Sequence, residues 1–140
     1  MSQNLIFMPM GVLAFWTFAV LLLIPFRRFR AGFAGKITPD DFKYGESSNV
    51  PGHVTIPNRA MMNLLELPIL FYVICLMFFV SGAADVLTIQ IAWVYVAFRL
   101  AQTIIHVTYN NVIHRLTMFA VGNFVLVGLW LKFFFPMMVK

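Results

Sequence analysis

Four apolar blocks constrain this chain more than any other feature: Leu5–Phe26, Met61–Val80, Val86–Tyr109 and Leu116–Phe135. Each comes near the ~20 residues an α-helix needs to cross a hydrocarbon core of about 30 Å. No water reaches backbone N–H and C=O groups at that depth, so such segments are helices or parts of a closed barrel. A membrane barrel needs strict alternation of apolar and polar residues, and the blocks do not alternate. Composition points the same way. Of 140 residues, 61% are hydrophobic and 11% charged, whereas an average soluble domain carries about 25% charged residues. The expected fold class is all-α, an integral membrane four-helix bundle. It forms a single domain over residues 1–140 with a long connection at 27–58.

The net charge of +5 is unevenly spread. Arg27, Arg28, Arg30, Lys36, Lys43 and Arg59 lie between the first two blocks, and Arg115 opens the fourth. Only Lys132 and Lys140 fall at the other side. This is the positive-inside pattern. It puts the basic connections in the cytoplasm and both termini outside it. The charge then reports topology and contact with anionic membrane lipids, with no nucleic-acid partner. No positive charge precedes the first block and no small-residue cleavage site follows it, so the segment reads as a span rather than a removable signal.

Several chemistries find no support. Cys75 is the single cysteine, which excludes an intrachain disulfide and a cysteine metal cluster. His106 and His114 are eight residues apart, not at the i, i+4 spacing of a helical metal pair, so no metal is expected. The chain has no Gly-rich phosphate loop and no plausible Ser/His/Asp set. In the long connection, "TPDD" (38–41) predicts a short helix with Thr38 as N-cap and Pro39 at the first position. Pro57 suits the first turn of the second helix. The tight links "SGAAD" (81–85) and "NNVIH" (110–114) predict antiparallel neighbours.

The informative residues are the polar ones inside the spans. Arg59, Asn63 and Glu66 are spaced i, i+4, i+7 and share one helix face at about 100° per residue. Arg99, Gln102, His106 and Asn110 form a second stripe at i, i+3, i+7, i+11. A carboxylate at the centre of a membrane helix costs roughly 2.5–3.5 kcal/mol on insertion scales, so such residues face the bundle interior or a cavity. Glu66 is the one acid within the spans, and Arg99 is its expected partner. Internal hydrogen bonding between helices would account for one such pair. It accounts less well for the whole set, where bases outnumber the acid and Arg115 joins them. A cationic pocket with one carboxylate suits an anionic ligand that also carries an amine.

Two segments carry a family resemblance. "RAMMNLLELP" resembles the R-x-x-x-N-x-x-E signature of helix two in the MAPEG superfamily, the membrane-associated proteins in eicosanoid and glutathione metabolism. "FRLAQTIIHVTYNNVIHR" resembles the helix-three segment that ends in an arginine. "NLLELPILFYVIC" and "HVTYNNVIHR" are most similar to the bacterial branch, which implies a bacterial inner membrane. The resemblance implies four spans, a homotrimer, and glutathione bound between subunits near the cytoplasmic face. It assigns Arg59, Asn63, Glu66 and Arg99 to glutathione binding and Arg115 to stabilising the thiolate. Gln102 and His106 stand where catalytic members often carry His or Tyr, and Tyr. His106 therefore joins the expected binding set. Phe119 stands where some members carry another Tyr.

The implied activity is a glutathione-dependent transferase or peroxidase, with glutathione as co-substrate and a lipophilic small molecule entering from the bilayer. A non-catalytic lipid-binding or partner-binding protein is the alternative. A small transporter or proton relay using Glu66, Arg99 and His106 stays open as a third reading.

Overall fold

The computed structural model describes residues 2–139; Lys140, counted above on the outer side, lies outside them. The elements run from a 3-10 turn at Gln3–Ile6 through α1 (Phe7–Phe33), a 3-10 turn at Pro39–Phe42, α2 (Gly52–Leu65), α3 (Pro68–Val80), α4 (Val86–Val107) and α5 (Val112–Met138). Among the described residues, four helical stretches are long and apolar enough to cross a membrane, with α2 and α3 together making the second. Their outer faces present large apolar side chains, Phe15, Phe18, Leu22 and Phe124 among them, as a lipid-facing surface requires.

The connection expected over 27–58 is helical at both ends. α1 runs on to Phe33, so Arg27, Arg28 and Arg30 are helical, and α2 already starts at Gly52. Pro57 is therefore inside α2 rather than in its first turn. Proline has no N–H to give to the carbonyl four residues back, here that of His53. Arg27 Nη1 donates to that carbonyl at 2.9 Å. Its Nη2 donates to the Val107 carbonyl at 3.0 Å, one of the acceptors that the end of α4 leaves without an intrahelical donor. One guanidinium on α1 thus ties α2 and α4 together at the basic end. The remaining connection folds onto α1 through Ile37, Val50 and Val54 packed with Ala31. Arg28 pairs with Glu46 at 3.0 Å and lies over the Phe42 ring. The turn at "TPDD" forms with Thr38 as N-cap, and Asp41 accepts from the Thr38 N–H at 2.8 Å. That bond, with a second from the Ser47 hydroxyl, holds the Asp41 carboxyl below its ordinary range.

The second span breaks at Glu66, whose φ of −84° and ψ of −94° are not helical. Pro68 is the cause: it gives no N–H to Leu64 and its ring crowds that carbonyl, so the chain restarts with Pro68 in the first turn of α3. The third and fourth spans have sharp boundaries. Asp85 caps α4 by accepting from the Thr88 N–H. Asn111 caps α5 by accepting from Ile113 and His114. Asn110 lies between α4 and α5 with φ of 48°, in the left-handed region that Asn tolerates better than most residues. It is off α4 altogether, so the four-residue stripe expected on that helix is three residues long.

α4 is the central helix. Its buried face runs through Thr88, Ala92, Tyr95, Val96, Arg99, Gln102, Thr103 and His106. Phe71 of α3 stacks on Tyr95 at 4.5 Å between ring centroids, and Phe78 meets Phe133 of α5 edge-on. Leu13, Ile74 and Leu129 complete a core with no exposed surface at any of the three. This packing aims the polar half of α4 at the end of the bundle where α1 stops and α2 begins.

Candidate functional site

Five of the six residues singled out in the sequence meet around one cavity. Arg59, Asn63 and Glu66 come from α2 and its break, His106 from the last turn of α4, and Arg115 from the first turn of α5; with Met62 they line a space of about 260 Å³. A second cavity of about 230 Å³ adjoins it, sharing Asn63 and Arg115 and adding Gln102, Val112, Leu116 and Phe119. Together the two reach the lower part of the roughly 300–1,000 Å³ typical of small-molecule sites. The first half is mainly polar; the second sets an apolar wall of Val112, Leu116 and Phe119 against Asn63, Gln102 and Arg115. Val112 and Leu116 on its rim are exposed on the outside of the bundle.

The polar groups of the first cavity are mostly uncommitted. Arg59, Asn63, Glu66 and His106 make no side-chain hydrogen bond to any described residue, although His106 is only 4% exposed. Arg115 makes one, donating from Nη1 to Asn110 Oδ1 at 2.7 Å, which leaves its other N–H groups free. Two guanidinium groups, one carboxylate, one amide and one imidazole therefore converge without neutralising one another. Of the five only His106 is buried, and most buried polar groups in native proteins are paired.

Arg99 is placed differently from expectation. It does not pair with Glu66 and lines neither cavity. The residue is 1% exposed and its guanidinium is bonded on three sides, with Nε donating to the Tyr95 hydroxyl at 2.9 Å, Nη1 to Gln102 Oε1 at 3.0 Å and Nη2 to Asn123 Oδ1. The Tyr95 and Phe119 rings lie 5.2 and 5.1 Å from its centre. Arg99 therefore sits behind Gln102 as a fixed positive charge rather than as a ligand contact.

The sequence stripe included Gln102 without giving it a role, and Asn123 was missed. A lone amide in the apolar run of the fourth span was the available signal, because an intramembrane polar residue needs a partner.

These features define a four-span membrane protein with a cationic cavity at its basic end. The sequence profile of the MAPEG family matches residues 6–135, and the chain belongs to that family. Comparisons with curated proteins and with solved structures give no match.

Proposed function

We propose that this protein is a membrane-bound glutathione-dependent transferase or peroxidase acting on lipophilic electrophiles. The observation that carries the reading is the uncommitted set Arg59, Asn63, Glu66, His106 and Arg115 around one cavity. Glutathione has two carboxylates, an ammonium, two amides and a thiol, and the donor set fits each kind of group. Arg59 takes a carboxylate, Glu66 the ammonium and Asn63 an amide. His106 hydrogen-bonds within the same cavity. Arg115 is left for the sulfur.

A free thiol with a pKa of about 8.5 is mostly protonated at neutral pH, and a neighbouring guanidinium favours the thiolate. The effect grows where water is scarce. The thiolate attacks an electrophilic atom of a substrate held in the second half, between Leu116 and Phe119. The thiol proton leaves to water or to a free ring nitrogen of His106. Val112 and Leu116 give that half a lipid-facing rim, which suits substrates arriving from the bilayer.

Two assembly features belong to the same proposal. The exposed positions of Arg59 and Glu66 leave one side of the cavity open, and a neighbouring copy would close it in a homotrimer. The concentration of Arg27, Arg28, Arg30, Lys36 and Lys43 at this end of the bundle supports a cytoplasmic site, with both termini across the inner membrane of a bacterial cell.

One observation favours a second reading, a non-catalytic lipid-binding or partner-binding protein. No hydroxyl side chain lines either cavity, and the Tyr95 hydroxyl is taken by Arg99. Calorimetric titration of glutathione into the detergent-solubilised protein, followed by conjugation assays with a lipophilic electrophile, tests the choice. Micromolar to millimolar binding with turnover is expected. Binding without turnover selects the second reading, and no binding rejects the first. A detergent-corrected mass equal to one subunit rejects the trimer.

A further inference from the structure

Gln102 lines the second half of the cavity, and the fold fixes which way its amide points. A guanidinium has five N–H donors and no acceptor. The amide face against Arg99 must therefore be the oxygen, and Oε1 accepts from Nη1 at 3.0 Å. The NH2 group is turned the other way. It has no hydrogen-bond partner among the described residues, and it is not among the side-chain atoms sealed from solvent without a partner. The residue as a whole is only 4% exposed. A nearly buried side chain thus holds an unpartnered NH2 group, with two N–H donors, at the cavity wall beside Leu116 and Phe119.

Arg99 explains why that group matters. Its guanidinium forms no ion pair among the described residues, and its hydrogen bonds go to a hydroxyl and two amide oxygens. Withdrawal of electron density through Oε1 polarises the amide, and hydrogen bonds in chains of this kind strengthen one another. The free NH2 group is therefore a stronger donor than an ordinary glutamine and is held in a single orientation. Within the second half it is suited to an oxygen that becomes negative during reaction.

We infer that Gln102 determines substrate specificity by selecting electrophiles whose electron-accepting group ends in oxygen, α,β-unsaturated carbonyl compounds with an apolar tail. Arg99 acts through it as a positioning residue. The inference rests on the transferase reading above. In the step, the thiolate sulfur forms a bond to the β-carbon. The C=C π pair shifts toward the carbonyl, and the C=O π pair moves onto oxygen as an enolate. The Gln102 N–H donates to that oxygen. A proton returns to the α-carbon and balances the one lost from the thiol. A substrate such as benzyl chloride reacts by displacement, its electron pair leaves on chloride, and no enolate forms.

The test compares kcat/KM for trans-2-nonenal with kcat/KM for benzyl chloride. Gln102→Glu keeps the side-chain size and still offers Arg99 an acceptor oxygen, but it puts an acceptor where the donor was. Gln102→Met removes the amide at similar volume. The nonenal-to-benzyl chloride ratio should fall about 10²-fold in each, the usual cost of losing one oxyanion donor. Thermal midpoints of the solubilised variants report folding, and either folded variant decides the question. A ratio within threefold of wild type overturns the inference while leaving the transferase reading intact. A wild-type protein that binds glutathione but conjugates neither compound overturns both.

Discussion

At the end of the bundle where α3 turns into α4, an acid and a base have closed on each other. Lys132 Nζ of α5 donates to both Asp85 oxygens at 2.9 and 2.8 Å and to Thr88 Oγ1 at 2.9 Å. Asp85 also accepts from the Thr88 N–H and hydroxyl, and Lys132 lies over the Phe78 ring. At the other end, Glu66 shares a cavity with Arg59 and Arg115 and forms a salt bridge with neither among the described residues. The same side-chain chemistry is spent inside the fold in one place and withheld in the other. Helix geometry withholds it: Glu66 is on the break that Pro68 forces, while Arg115 is held on a separate helix and tethered to Asn110. Groups satisfied by the chain should govern stability, and groups left open should govern ligand affinity and rate. Substitutions at the two ends should therefore separate these properties.

The largest effect is expected at Arg115. Arg115→Ala removes the charge assigned to the sulfur but leaves Arg59, Glu66 and Asn63 to hold the rest of glutathione. Conjugation should slow by about 10²-fold, comparable to losing one transition-state electrostatic contact, while glutathione affinity falls much less. Titrating the thiolate absorbance of bound glutathione should show a raised pKa. An unchanged pKa moves the sulfur contact to another group, with His106 the first to test.

Next come the two acids, which should behave as opposites. Glu66→Ala should weaken glutathione binding by roughly tenfold or more, since a hydrogen bond to a charged group is worth about 1.5–3 kcal/mol. It should leave the thermal midpoint close to wild type, because the Glu66 carboxylate makes no hydrogen bond or salt bridge among the described residues and its backbone bonds survive the change. Asp85→Ala should lower the midpoint, since loss of an N-cap costs typically ~1 kcal/mol, and should leave glutathione affinity unaltered. A Glu66 variant that unfolds, or an Asp85 variant that loses affinity, breaks the comparison.

The sequence made the spans legible because hydropathy over about 20 residues is a strong signal. It also brought together most of the cavity, because residues on one face of a helix keep their relation wherever the helix packs. The capping turn at Thr38–Asp41 was equally readable, being set by neighbours in sequence. The Glu66–Arg99 pair expected from the two stripes does not form. Two stripes at helical spacing fix neither the axial offset nor the rotation between helices, and Pro68 moved Glu66 off its helix. Arg99 had three neutral acceptors nearer to hand, one of them from α5, where a single Asn in an apolar run gave little warning. The role of Arg27 was hidden for a related reason. The carbonyls it satisfies are backbone groups, exposed by Pro57 in one helix and by the end of another, and side-chain patterns do not record them.

The smallest effect is the pH dependence of the closed end. The Lys132 ammonium beside Asp85, with the two donors of Thr88, holds the Asp85 carboxyl down at about 2, against about 3.9 in an unfolded chain. A carboxyl depressed in the folded state favours folding while it is ionised in both states. Its contribution is complete above the unfolded value and is lost as pH falls through the folded one. Asp85 and Lys132 face solvent at the bundle end, with side-chain exposures of 57% and 26%, so screening keeps the contribution below about 1 kcal/mol. The thermal midpoint of wild type relative to Asp85→Asn should therefore stay constant from pH 7 to about pH 4 and narrow only between about pH 4 and pH 2. An advantage that already narrows near pH 6 would mean that Asp85 titrates as a free carboxyl never does, and that some group other than the Lys132 clamp sets the stability of this end.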